Sequence, residues 1–293
     1  MSPLAPPDAD APKLAPPETA PIVKSLTPDY LFLKSSNKDI NQFLGGGLLF
    51  GSMCGIFGKY GSGKTQWCMD FAKNALLQKR TVVYIDSDAA NGFNVLMAVN
   101  LLTAIGVKID AFNPGNLPDR EKTQKYALFV EEIARKHKLF ILRPLTIDAL
   151  DKTITEVTTK IKADLLIVDS LTLYYKDDVT MHLGSSQQYG GKYLPMLTKI
   201  GQTLEQYAKN VGTCIICTLQ RLSEIGLEKA TKLTPNEQIR EWVGTEGPAY
   251  KFNDVIELKK ERNTFRAYLH KKRGNVADPM KGVLFTINNG GIA

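Results

Sequence analysis

The chain alternates short all-apolar runs with longer stretches in which apolar positions recur every three or four residues. "MCGIF" (53–57), "TVVYI" (81–85), "LFIL" (139–142), "LLIV" (165–168), "TCIICTL" (213–219), "DVIELK" (254–259), "FRAYLH" (265–270) and "GVLFTI" (282–287) read as strands. Three stretches put a single apolar face on a helix. They are positions 67, 68, 71, 72, 75 and 76; then Ile147, Leu150, Ile154, Val157 and Ile161; then Leu194, Leu197, Leu204 and Tyr207. This alternation predicts an α/β fold, a mostly parallel twisted sheet with right-handed crossovers and helices on both faces. The last three strands have no helical stretch between them and predict an antiparallel C-terminal edge.

The beginning of the chain breaks the pattern. Eight of the fifteen prolines fall in the first 28 residues, mixed with Ala, Asp and Glu, so this segment has little to bury. The expected organisation is a Pro-rich tail at 1–29 and one core domain at 30–293. At 293 residues, 43% hydrophobic and 23% charged, the composition is that of an ordinary globular protein. No apolar run approaches the roughly 18 residues of a membrane span. The start lacks the basic and apolar regions of a signal peptide, so the expected place is the cytoplasm with no membrane partner. The net charge of +7 permits a nucleic-acid partner without requiring one. Nine Lys/Arg stand against four acids between 251 and 281, although such a run is also what a solvated face looks like.

Candidate chemistry sharpens the picture. Four cysteines are too few for a disulfide scaffold. Cys214 and Cys217 sit in a strand, where positions three apart face opposite ways and cannot converge on a metal. "GKYGSGKT", from Gly58 to Thr65, fits G-x-x-x-x-G-K-[ST], with a strand before it and an amphipathic helix after it. Gly58, Gly61 and Gly63 let the backbone curl so that successive N–H groups face phosphate oxygens. The helix N-terminus adds its positive dipole end. Gly58, Lys59, Tyr60, Gly61, Ser62, Gly63, Lys64, Thr65 and Gln66 therefore form the expected cradle for ATP. Lys64 would serve the β- and γ-phosphates, and the Thr65 hydroxyl would ligate Mg²⁺. In "ADLLIVDS" an apolar strand ends at Asp169, which places a metal-side acid at the carboxyl edge of the sheet.

Taken together, "FLGGGLLFGSMCGIFGKYGSGKTQ", "VVYIDSD", "LLIVDSLTLYY", "CIICTLQ" and "RAYLHKKRG…GVLFTINNGGI" resemble, in order, the RecA-type ATPase core of archaeal and eukaryotic recombinases. The likeness runs from about residue 32 to 293 and is greatest to RadA paralogues of the RadB kind. It implies a RecA-like fold and catalytic roles for Lys64 and for Gln220, a sensor of the γ-phosphate. It also implies that Asp169 holds the metal through water and that two loops, about 176–190 and 221–247, face DNA. Within the second loop Arg221, Lys229, Lys232 and Arg240 are the candidate DNA contacts. "HKKR" at 270–273 offers Lys271 and Arg273 as cationic fingers for a neighbouring subunit's nucleotide, as in related ATPases.

The departures from a full recombinase shape the expected function. A Pro-rich stretch stands where the family places its small helical DNA-binding domain, and no Phe-x-x-Ala subunit staple precedes the core, so neither is expected to act here. The 221–247 loop has four Lys/Arg against five Glu and is a poor DNA clamp. Where active recombinases keep Thr-Glu after the Tyr-Ile-Asp strand, this chain has Ser87 and Asp88. Asp88 is then either a water-activating carboxylate about 1.5 Å short of reach or a helix cap or solvated turn. Asp86 reads as a strand-end residue that shapes the site. The leading expectation is a slow, DNA-linked ATPase of recombination or repair. Its partners would be single-stranded DNA, held weakly, and a RadA-type recombinase or another repair protein, met at the nucleoid or in a nucleus. A homo-oligomer is compatible with this. The alternatives are a KaiC-like signalling ATPase and a nucleotide-binding scaffold without hydrolysis.

Overall fold

Eight of the apolar runs assemble side by side in one sheet. The computed structural model describes residues 30–87, 93–109, 119–174, 193–219, 251–272, 282–288 and 291–292. Its main strands are β3 (Met53–Phe57), β4 (Val82–Asp86), β5 (Leu139–Leu142), β6 (Leu165–Asp169), β7 (Cys214–Leu219), β8 (Asp254–Glu261), β9 (Thr264–Lys271) and β10 (Val283–Phe285). Their order is β10-β9-β8-β3-β7-β6-β4-β5. Two small antiparallel ribbons accompany it, β1 (Phe32–Leu33) with β2 (Leu48–Leu49), and β11 (Ile287–Asn288) with β12 (Gly291–Ile292).

All neighbours from β8 to β5 are parallel, and β9 alone runs the other way, antiparallel to both β8 and β10. The last three strands thus form the expected antiparallel edge, joined to the parallel sheet where β8 pairs with β3. Val255 to Leu258 of β8 are buried on both faces, as befits a strand lodged between two others. "GVLFTI" is broken at Thr286, and its end turns away to pair with β12.

Six helices are described: α1 (Lys38–Phe43), α2 (Lys64–Leu77), α3 (Phe93–Ala104), α4 (Asp119–Lys136), α5 (Ile147–Lys160) and α6 (Tyr193–Val211). α2, α5 and α6 carry the three predicted apolar faces, although the Leu194 side chain lies outside what is described. The Asn37 carbonyl caps α1 by accepting from the amides of Asp39 and Ile40, and the Thr146 hydroxyl accepts from Ala149 at α5. No helix is long and apolar enough to cross a membrane among the described residues.

Because neighbouring strand residues alternate in direction, the sheet feeds two cores. Cys54, Ile56, Tyr84 and Ile167 join Trp67, Phe71, Leu101 and Val130 on one face. Met53, Phe57, Ile85 and Val168 join Leu150, Ile154, Leu197 and Leu204 on the other. Each large side chain buried this way contributes about 1.5–3 kcal/mol. Cys214 belongs to the first core and Cys217 to the second, so the two thiols lie on opposite faces, buried and unbridged.

Candidate functional site

β3 ends at Phe57, and Gly58 opens a loop that closes into α2 at Lys64. Two glycines make that path possible. A Cβ on Gly58 would lie 2.4 Å from the Leu258 carbonyl oxygen, so the backbone approach to β8 admits nothing larger. Gly63 caps α2 at φ +90° without a side-chain hydrogen bond, which leaves the first amides of the helix for a ligand. Lys64 Nζ donates to the carbonyls of Gly58 at 2.8 Å and Lys59 at 3.1 Å, arching over the loop.

The carboxyl ends of three adjacent strands bring the remaining groups together. Asp86 and Asp169 are register partners at the tips of β4 and β6. Asp169 is 9% exposed and accepts from three hydroxyls. Thr65 Oγ1 donates to its Oδ2 at 2.9 Å and Tyr84 donates at 2.7 Å, while Thr218 of β7 donates to Oδ1. Burial, and then the Asp169 charge, pushes the Tyr84 phenol well above its ordinary pKa, so it stays a donor. The same two causes, in the same order, keep the nearby Cys68 thiol protonated.

Beyond the strand tips the chain is laced together. Ser87 Oγ donates to the Ser170 carbonyl at 2.5 Å and accepts from the Ser170 amide at 2.8 Å. The Ser87 amide donates to the Asp169 carbonyl at 2.8 Å, and the Asp169–Ser170 peptide is cis. Tyr174 donates to Ser87 and Pro144 carbonyls. Arg143, one residue past β5, lies beside Asp86; burial lowers its pKa, and the charges of Asp86 and Glu131 partly offset that.

The structure thus gathers Gly58 to Gln66 and Asp169, nine consecutive cradle residues and the acid 104 positions after Thr65. Tyr84 and Thr218 complete the group and carry no motif of their own. Lys271 lies elsewhere. It pairs with Val255 near the start of β8, whereas the loop follows Phe57, the partner of Glu257 further along the same strand. Asp88, Gln220, Arg221, Lys229, Lys232, Arg240 and Arg273 lie outside the described residues.

The donor set fits a nucleoside triphosphate with one hard cation. The amides at the helix N-terminus, the Lys64 ammonium and the buried, unpartnered Ser62 hydroxyl suit phosphate oxygens. Among the described residues no cluster of three or more His, Cys, Asp or Glu exists, so a cation here would rest on Thr65, Asp169, water and phosphate, as Mg²⁺ prefers.

Comparison with known proteins agrees with this geometry. The family model described as "ATPase: KaiC" matches residues 33–186, more than half of the chain. The mouse protein named DNA repair protein RAD51 homolog 4 is 28% identical over 202 residues, 68% of this chain and 55% of that protein. DNA repair and recombination protein RadB of Archaeoglobus fulgidus is 38% identical over 65 residues, 22% of this chain and 29% of its own. RadB of Methanococcoides burtonii is 28% identical over 149 residues, 49% and 52% of the two chains. The chain spans about half the length of two of these curated relatives and less than a third of the other. The crystal structure of the RadB recombinase has the same fold, with a TM-score of 0.59 at 18% identity over 89% of this chain and 98% of that one. A phosphate loop, a strand-end acid bonded to it and a RecA-like sheet agree with the sequence match: the chain belongs to the KaiC-type ATPase family.

Proposed function

We propose that the protein is an ATP-binding subunit of homologous recombination or DNA repair, a slow ATPase linked to single-stranded DNA that assists a RadA-type recombinase. The observation that carries this reading is the Thr65–Asp169 hydrogen bond, which joins the phosphate loop to the acid of β6 at the sheet edge. The names of the relatives, all DNA repair proteins, favour this role over nucleotide-driven signalling. We take residues 30–293 as one ATPase core that works inside the cell, at the DNA.

In this reading the loop amides and Lys64 bind and orient the β- and γ-phosphates. Thr65 and Asp169 would hold Mg²⁺, which when bound would neutralise phosphate charge. Tyr84 and Thr218 fix the Asp169 carboxylate. Gln220 serves as the γ-phosphate sensor, and Asp88 orients the attacking water from a carboxylate one methylene shorter than Glu. Lys271 and Arg273 meet the nucleotide of a second copy of the chain, and Arg221, Lys229, Lys232 and Arg240 touch DNA.

Steady-state ATPase measured with and without single-stranded DNA tests the reading. Stimulation is expected; a rate indifferent to DNA, with no DNA binding at low salt in the presence of ATP, refutes the DNA-linked role. The Asp88→Glu variant should turn over faster, by up to on the order of a hundredfold if reach is the limit. An unchanged rate would return Asp88 to a helix cap or a solvated turn.

A further inference from the structure

We propose that Glu257 and His270 are a positioning pair that fixes the basic end of β9, bearing Lys271 and Lys272, against the root of the phosphate loop. The proposal rests on the preceding reading that Lys271 meets the nucleotide of a second copy.

The two side chains are 8% and 7% exposed and face each other across β8 and β9, with His270 Nε2 2.9 Å from Glu257 Oε2. Lys259 Nζ approaches the same oxygen at 3.2 Å. Burial alone would raise the Glu257 pKa, but the His270 hydrogen bond and the Lys259 charge outweigh it and hold the carboxyl below its usual range. The imidazole leans on Phe57 with ring centroids 5.1 Å apart, and its Nδ1 has no hydrogen-bond partner. A buried polar pair often stabilises no more than an apolar pair of the same size, and its best-attested use is to specify one register.

A register is what this position needs. Ile256 pairs with Leu269 but Val255 pairs with Lys271, so His270 is the extra residue of a β-bulge. Bulges re-aim the residues that follow them. Here Lys271 comes within electrostatic reach of the buried Asp254; burial lowers the Lys271 pKa, and the Asp254 charge partly offsets that. Lys272 is turned to the glycine turn at Gly45, where a Cβ would lie 2.9 Å from its Nζ. Phe57 supports the imidazole of the extra residue by packing, and the bond to Glu257 adds the directional contact that fixes its setting.

The other side of the pair touches the nucleotide cradle. Glu257 is the register partner of Phe57, the residue before Gly58, and the next carbonyl along β8, that of Leu258, is the one that excludes any side chain at Gly58. Two consecutive residues of β8 therefore set both the start of the phosphate loop and the bulge that aims Lys271.

The test compares Glu257→Gln, His270→Phe, His270→Gln and Lys271→Ala in the full chain. Affinity for a fluorescent ATP analogue and ATP turnover at saturating Mg²⁺-ATP are read across a range of protein concentrations. We expect analogue affinity to stay within about twofold while turnover falls on the order of tenfold in Glu257→Gln, His270→Phe and Lys271→Ala. His270→Gln, whose amide still donates to Glu257, should recover most of the rate. Normal turnover in His270→Phe with impaired Lys271→Ala overturns the pair alone. Normal turnover in Lys271→Ala overturns the second-copy reading and the proposal with it. Unfolding or lost analogue affinity in both Glu257→Gln and His270→Phe assigns the pair a general structural role and also overturns the proposal.

Discussion

Asp169 shows how much of a buried strand-end acid is made by its neighbours. A carboxylate at 9% exposure is tolerable because Thr65, Tyr84 and Thr218 all donate to it, and each belongs to a different element. Removing one donor should loosen its aim without abolishing the site. Tyr84→Phe is expected to cost about 1 kcal/mol of stability, read by denaturant unfolding. It should also raise the Mg²⁺ concentration needed for half-maximal ATP binding. Unaltered Mg²⁺ dependence would remove Tyr84 from the positioning of Asp169. Lys64, Thr65 and Asp169 were legible in the sequence because each belongs to a spacing that phosphate and metal chemistry dictate. Tyr84 and Thr218 were not, since a tyrosine and a threonine inside apolar strands look like ordinary strand formers. Only the lateral order of β4, β6 and β7 turns them toward one carboxylate.

At the level of elements, the polarity pattern identified every main strand and three helices, and its failures have physical causes. α3 is apolar nearly all round, from Val95 to Leu102, so no single face stands out from a buried strand. In α4 the apolar spacing of Tyr126, Phe129, Val130 and Ile133 is present, but it is diluted by a charged first half. The place of β8 beside β3 is a matter of tertiary pairing that no local pattern encodes. The β8–β9 junction also carries a pH signature. The Glu257 carboxyl pKa is depressed on folding, so its stabilisation is complete above the unfolded value near 4.5 and is lost as pH falls through the lower folded value. Glu257→Gln should therefore destabilise the protein near neutral pH by about 2 kcal/mol, with the difference shrinking below about pH 4. Denaturant unfolding of both proteins at pH 7 and pH 3.5 checks this, and an equal gap at both pH values would contradict it.

Across the whole molecule, charge and topology are unevenly spread. The four Lys/Arg of 221–247 are outnumbered by five Glu, whereas 251–281 holds nine Lys/Arg against four acids. If Arg221, Lys229, Lys232 and Arg240 all meet phosphates of single-stranded DNA, replacing them with alanine should flatten the slope of log affinity against log salt by about 0.7 each, roughly 3 together. A slope that does not change would move the contact to the stretch after Lys251. The sheet order holds a different lesson, about time. β4, β5 and β6 pair only with strands from the same middle part of the chain and with β7, but β3, which launches the phosphate loop, has β7 and β8 as its two partners. On a ribosome that strand is made early and waits, unpaired and apolar, until Cys214 and then Asp254 have been added. Pairing over such separations is slow and exposes sticky intermediates. The nucleotide cradle, encoded near the front, is thus among the last parts of the molecule to come into existence, and a nascent chain has no ATP site to protect it.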